Sequence, residues 1–129
     1  MRHLLDAHSL IWALDDPRKV GKRAVTVLED PANELLVSVG TIWEISIKAG
    51  LGKLSLSLPY RHWMERASAD LGLSVLPLTL EHAERQMSLP YHHRDPFDRL
   101  LVAQCLVEGI SLVSADTVFD QYEFTRIWG

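Results

Sequence analysis

Apolar and polar positions alternate in blocks along the chain, and the blocks change period. Arg2-His-Leu-Leu5 reads as a short strand that stops at Asp6. Residues 7–14 are mostly apolar and helical, and Asp15-Asp16-Pro17 breaks them. Residues 18–29 place Val20, Ala24, Val27 and Leu28 at helical spacing with charges between, which predicts one helix. Pro31-Ala32-Asn33 is a turn, and Glu34-Leu-Leu-Val-Ser38 a buried strand. Gly40-Thr41 opens a helix to about Ala49, closed by Gly50 and Gly52.

Leu54-Ser-Leu-Ser-Leu58 alternates like a strand. It is short, precedes Pro59 and relies on leucine, a weak strand former, so a loop pinned by three leucines is an equal reading. Residues 60–71 form a helix, Ser74-Val75-Leu76 a strand, and residues 79–88 an amphipathic helix from Thr79. After the polar Tyr91-His-His-Arg94, Asp95-Pro96 starts a helix to about Glu108. It is apolar beyond Arg99 and therefore buried on most sides. Leu112-Val113 is a strand ending in Ser114-Ala115-Asp116, and a short helix and a strand near residues 125–128 close the chain. Strands alternating with helices predict an α/β fold, a three-layer α/β/α sandwich around a mostly parallel sheet. Ligands of such sheets sit beyond the carboxyl ends of the strands, where Asp6 and Asp116 fall.

Composition narrows the class. The 129 residues, 47% of them hydrophobic, suit one domain spanning 1–129. No apolar run is long enough to span a membrane, and the start lacks the pattern of a signal peptide, so a cytoplasmic protein is expected. A single cysteine, Cys105, rules out an internal disulfide and a Cys-based zinc site. A net charge of −4 argues against coating nucleic acid by bulk positive charge. It is compatible with a nuclease that recruits its own cations, and two divalent ions would cancel it.

Four acids draw attention by location: Asp6, Glu44, Asp98 and Asp116. If the sheet is parallel, all lie at its carboxyl-end face. Each also has a purely structural reading. Thr41 and Glu44 match a capping box, and Glu44 with Lys48 an i,i+4 pair. Asp95 suits an N-cap, with Asp98 a first-turn acid facing the helix dipole. Asp6 and Asp116 could each cap the helix that follows. Capping does not require four acids to converge; a hard-cation site does.

The ordered segments resemble the PIN-domain ribonucleases, specifically the VapC-type toxins of bacterial toxin–antitoxin pairs. The segments are Leu4-Leu5-Asp6 before an apolar helix with Trp12; Ser38-Val39 leading into Trp43-Glu-Ile-Ser-Ile-Lys48 and Gly52-Lys-Leu54; His93-Arg-Asp-Pro-Phe-Asp-Arg-Leu-Leu-Val-Ala-Gln104; and Leu112-Val-Ser-Ala-Asp116 with Phe119. They span essentially the whole chain. The resemblance implies that Asp6, Glu44, Asp98 and Asp116 are catalytic and hold Mg2+ or Mn2+, one ion or two, with Ser114 supporting. Where the family commonly has Thr or Ser directly after the first Asp, this chain has Ala7 and His8, then Ser9. It implies RNA hydrolysis leaving a 5′-phosphate, a homodimer, and a cognate antitoxin laid across an apolar groove that Trp12, Trp43 and Trp63 could line. Oxygen-only ligands select such hard cations.

RNA also needs cations on the protein. Lys48, Lys53, His93, Arg94 and Arg99 are the candidates; His92-His93 reads equally as a solvated loop, and Arg18, Lys19, Lys22 and Arg23 as a solvated helix face. Two alternatives compete. A receiver-like phospho-acceptor domain would need an acid beside Asp6 and a late lysine, and both are missing. A PIN-fold module that binds RNA or a partner without cutting would not need all four acids.

Overall fold

A computed structural model describes residues 1–129. Five strands form one sheet: β1 (Arg2–Leu5), β2 (Glu34–Ser38), β3 (Ser74–Leu76), β4 (Ser111–Val113) and β5 (Arg126–Ile127). Their order is β3-β2-β1-β4-β5, and every pairing is parallel. Six α-helices connect them: α1 (Ala7–Asp15), α2 (Lys22–Glu29), α3 (Val39–Gly50), α4 (Tyr60–Leu71), α5 (Leu80–Met87) and α6 (Pro96–Glu108). No helix is long and apolar enough to cross a membrane.

The apolar runs in the strands follow from burial on both faces. Leu4, Leu36 and Leu112 point to one side, where they meet Leu101, Val102 and Cys105 of α6. Their neighbours Leu5, Leu35, Val37 and Val113 point to the other, where they meet Leu10, Ile45 and Trp63 from α1, α3 and α4. The two clusters are the two interfaces of the sandwich. β1 is central, so Asp6, the first residue past it, emerges mid-sheet. Because α6 leads back into β4, its N-terminus lies at the carboxyl edge, which delivers Asp98 to the same rim.

Three local expectations are corrected. Residues 18–29 are not one helix: a 3-10 turn at Pro17–Lys19 is separated from α2 by Val20 and Gly21. Trp128 packs against this break, and a Cβ on Gly21 would run into the Trp128 carbonyl oxygen. α3 starts earlier than Gly40-Thr41, because Ser38 caps it by accepting a hydrogen bond from Gly40 N–H at 3.1 Å. Glu44 therefore sits in the second turn, and no capping box with Thr41 forms. Residues 54–58 are a loop, held by two leucines rather than three: Leu54 and Leu56 pack inward, whereas Leu58 is exposed. Asp15 adds the remaining anchor. It accepts from Ser57 N–H (3.1 Å), the Ser57 hydroxyl (2.5 Å) and the indole N–H of Trp63. Trp63 is fully buried there, which removes it from any groove for a partner.

Candidate metal centre

The four acids reach the rim by different local devices. Asp6 is the N-cap of α1: its Oδ1 accepts from Ser9 N–H at 2.9 Å. The Ser9 hydroxyl turns away and donates to the Val113 carbonyl (2.9 Å), tying α1 to β4. The hydroxyl that meets Asp6 comes instead from Ser114, which donates to Oδ2 at 2.5 Å and accepts from Asp116 N–H at 3.1 Å. Ser114 is fully buried, so one side chain ties the acid after β1 to the acid after β4. Asp116 also caps a 3-10 turn (Thr117–Gln121), its Oδ1 accepting from Val118 N–H.

Glu44 and Asp98 complete the rim. Glu44 is buried on α3 and takes its i,i+4 partner, Lys48 Nζ, at 2.6 Å. Asp98 lies one turn into α6, behind the Asp95 cap and Pro96. Its pKa is raised from 3.8 to about 6, first by burial, then by the negative charges of Asp95, Glu44 and Asp6, with His93 opposing. Glu44 and Asp6 both lie near enough to Asp98 for their charges to raise it. No protein donor neutralises Asp98. Asp116 behaves oppositely. Burial pulls its pKa up, but the hydrogen bonds from His93 and Val118 N–H and the charges of His93 and Arg126 prevail and hold it below the usual value.

The donor set is chemically suited to Mg2+ or Mn2+: four carboxylates with a hydroxyl behind them and no thiolate. As the side chains lie, no three of them are close enough to share one ion. Glu44 is engaged by Lys48 and Asp116 by His93, whose Nε2 is 2.9 Å from Asp116 Oδ2. Asp6 and Asp98 remain the anionic centre, and Glu44 would leave Lys48 to join them.

The candidate RNA contacts divide. Lys53 and Arg94 are exposed, and Lys48 is half-buried against Glu44. Arg99 is not available to RNA. It is buried, and its guanidinium donates to the carbonyls of Gln86, Leu89, Pro90 and His93 and to the Gln86 side chain. A guanidinium has five N–H donors in a rigid fork, which is what four converging carbonyls and an amide require. Tyr91 covers it, with the ring centroid 4.1 Å from the guanidinium carbon. Arg99 thus locks residues 86–93 onto α6. His93 is likewise buried rather than solvated, with its ring against Phe119 and Tyr122. Sequence reasoning missed Tyr122 and Arg126. The latter donates to the Ser114 carbonyl at 3.0 Å and pairs with Asp120, bracing the β4 end from β5. Neither has a local signal, because their partners are distant in sequence or lie in irregular segments.

A family model described as PIN domain matches residues 3–125. No curated protein matches the chain by sequence. Among solved structures, VapBC2 from Rickettsia felis, bound to a DNA fragment from its promoter, superposes with a TM-score of 0.74 at 15% identity over 100% of both chains. VapBC-1 from nontypeable Haemophilus influenzae gives 0.66 at 17% identity, covering 98% of this chain and 96% of that one. A toxin–antitoxin complex from Klebsiella pneumoniae gives 0.60 at 21%, covering 89% and 87%. At these identities the likeness speaks to the fold.

Proposed function

This chain belongs to the PIN-domain family, and from that premise we propose that residues 1–129 form one domain that acts as a metal-dependent endoribonuclease, the toxin of a toxin–antitoxin pair. The observation that carries the reading is the convergence of Asp6, Glu44 and Asp98 at one rim, with Asp98 driven up to about 6 by burial and by the other acids. A protein gains nothing in stability from such mutual repulsion. A divalent ion relieves it.

A bound Mg2+ or Mn2+ would supply Lewis acidity toward a phosphate and a lowered pKa for water. The chain's own residues do the rest. Asp6 and Asp98 would hold the ion directly, and Asp116 and Glu44 directly or through water. Ser114, by bonding both Asp6 and the backbone of Asp116, fixes their separation. Lys48, released from Glu44, Lys53 and Arg94 would bind the RNA backbone. Arg99 keeps the 86–93 segment from swinging across the site.

Partners follow the same reading. Antitoxin-bearing neighbours share this fold, and an apolar concavity of about 640 Å3 between α3 and α4, lined by Ile42, Tyr60 and Met64, adjoins the helix that carries Glu44. Val39, Trp43 and Ile47 stand exposed one turn apart along α3 and Leu51 caps its end, an apolar stripe suited to a second copy. The test is cleavage of total cellular RNA by purified, antitoxin-free protein, read by sequencing new 5′ ends with Mg2+, Mn2+ or EDTA. Discrete cuts that need metal and vanish in Asp98→Asn are expected. Equal patterns for wild type and Asp98→Asn in both metals would overturn the nuclease reading in favour of a binding-only domain.

A further inference from the structure

His93 is the histidine bonded to one of the four rim acids, and its surroundings are complete. Its side chain is 8% exposed. Nε2 lies 2.9 Å from Asp116 Oδ2, and Nδ1 lies 3.3 Å from the Tyr122 hydroxyl. The same hydroxyl accepts from the His93 backbone N–H at 3.1 Å. The ionised Asp116 carboxylate can only accept, which calls for a proton on Nε2, and the Tyr122 hydroxyl has a proton to give to Nδ1. A ring that accepts at Nδ1 carries its proton on Nε2, where it donates to the carboxylate. Phe119 and Tyr122 flank the ring, at centroid distances of 4.3 and 5.7 Å, and fix its plane. The backbone is held too, since Arg99 donates to the His93 carbonyl at 3.4 Å.

We propose that His93 is a positioning residue for the metal centre: its Nε2–H, with the tautomer set by Tyr122, holds the Asp116 carboxylate in the orientation from which that acid binds a divalent ion. The inference rests on the nuclease reading only in needing the ion, not RNA cleavage. It gives the His-Arg-Asp-Pro-Phe-Asp-Arg segment three separate tasks. His93 orients the acid after β4, Asp98 supplies the acid on α6, and Arg99 fixes the distance between them. Carboxylate ligands commonly depend on such outer partners, whose loss weakens metal binding by about 10–100-fold.

The side-chain chemistry makes the test specific. A glutamine places an amide N–H near the reach of imidazole Nε2; an asparagine reaches only as far as Nδ1. Direct Mn2+ binding to the full chain, from the free-ion electron paramagnetic resonance signal, is expected to weaken about 10–100-fold in His93→Asn and His93→Ala, and distinctly less in His93→Gln. Tyr122→Phe is expected to keep the fold and the ring but to shift the imidazole toward a mixture of tautomers in long-range 1H–15N spectra. Wild type would be almost wholly the Nε2–H form. Melts in EDTA identify any variant that has lost its fold, and Tyr122→Phe then carries the test.

Equal Mn2+ affinity in wild type, His93→Gln and His93→Asn would overturn the proposal and leave the nuclease reading intact, as would an Nδ1–H ring in the wild type. Mn2+ binding that follows this order in a protein that cuts no RNA would uphold the proposal while the nuclease reading fails. A wild type that binds no Mn2+ would overturn both.

Discussion

Asp98→Asn should make the protein more stable at neutral pH while abolishing cleavage. In the folded chain the carboxyl titrates at about 6 rather than 3.8, chiefly because it is buried and then because Asp95, Glu44 and Asp6 surround it. A raised carboxyl pKa means that the native state binds the proton more tightly than the unfolded chain does. The relative stability this supplies is fully present below the unfolded value near 4 and is lost as pH rises through about 6. About two pK units correspond to roughly 3 kcal/mol at 1.36 kcal/mol per unit. Relaxation of the half-buried site and residual acid–acid repulsion in the unfolded chain reduce this to about 2 kcal/mol.

Asparagine keeps the shape, sheds the charge and forfeits no protein hydrogen bond. The variant should therefore melt roughly 6–10 °C above wild type at pH 8 in EDTA, and within a degree or two of it near pH 4. Urea titrations across that range read the same difference as a change in midpoint at constant slope. Millimolar Mg2+ should narrow the gap from the wild-type side, since an ion that binds only the native carboxylates adds RT ln(1 + [L]/Kd) to wild type and little to the variant. A variant no more stable than wild type at pH 8, or an advantage that persists undiminished at pH 4, would refute the argument that repulsion at this rim is what the ion relieves.

Other perturbations separate the site from its scaffold. Arg99→Ala should cost about 3 kcal/mol in urea unfolding by leaving buried carbonyls unpaired, and Arg99→Lys should recover little of it, because one ammonium cannot serve four carbonyls and an amide. Ser114→Ala should lower cleavage about 10–100-fold while costing only about 1–2 kcal/mol, since two hydrogen bonds vanish but their carboxylate and backbone partners stay at the rim. Gly21→Ala should destabilise by about 2 kcal/mol or more, as its Cβ would meet a backbone carbonyl that cannot rotate aside. Gly40→Ala should cost less, because its obstacle is the flexible end of Leu100. Trp43→Glu should shift the solution mass from dimer to monomer by light scattering with the melting temperature of the fold nearly kept, because the side chain is 63% exposed in the single chain.

What could be read from the chain alone was whatever short-range physics decides. Asp95-Pro96-Phe97-Asp98 starts a helix wherever it is placed, because a carboxylate cap, a fixed proline φ and a first-turn acid act within four residues. Leu4-Leu5 and Leu112-Val113 could be recognised as strands, and the acids that follow them as rim residues of a parallel sheet. Which leucine serves which face was not readable, because a run without polar breaks has no phase; the helices that cover each side set it. The same limit governs the rest. Gly21 divides a helical pattern where Trp128 packs against it, and the 54–58 segment is a loop whose Ser57 is held by Asp15, as is Trp63. His93 and Arg99 carry polar side chains in a polar segment, and sequence gives such residues to solvent. Only the tertiary fold brings four orphan carbonyls to Arg99, and Asp116 with Tyr122 to His93. Those partners repay the cost of burying a guanidinium and an imidazole, which no neighbour in the sequence could do.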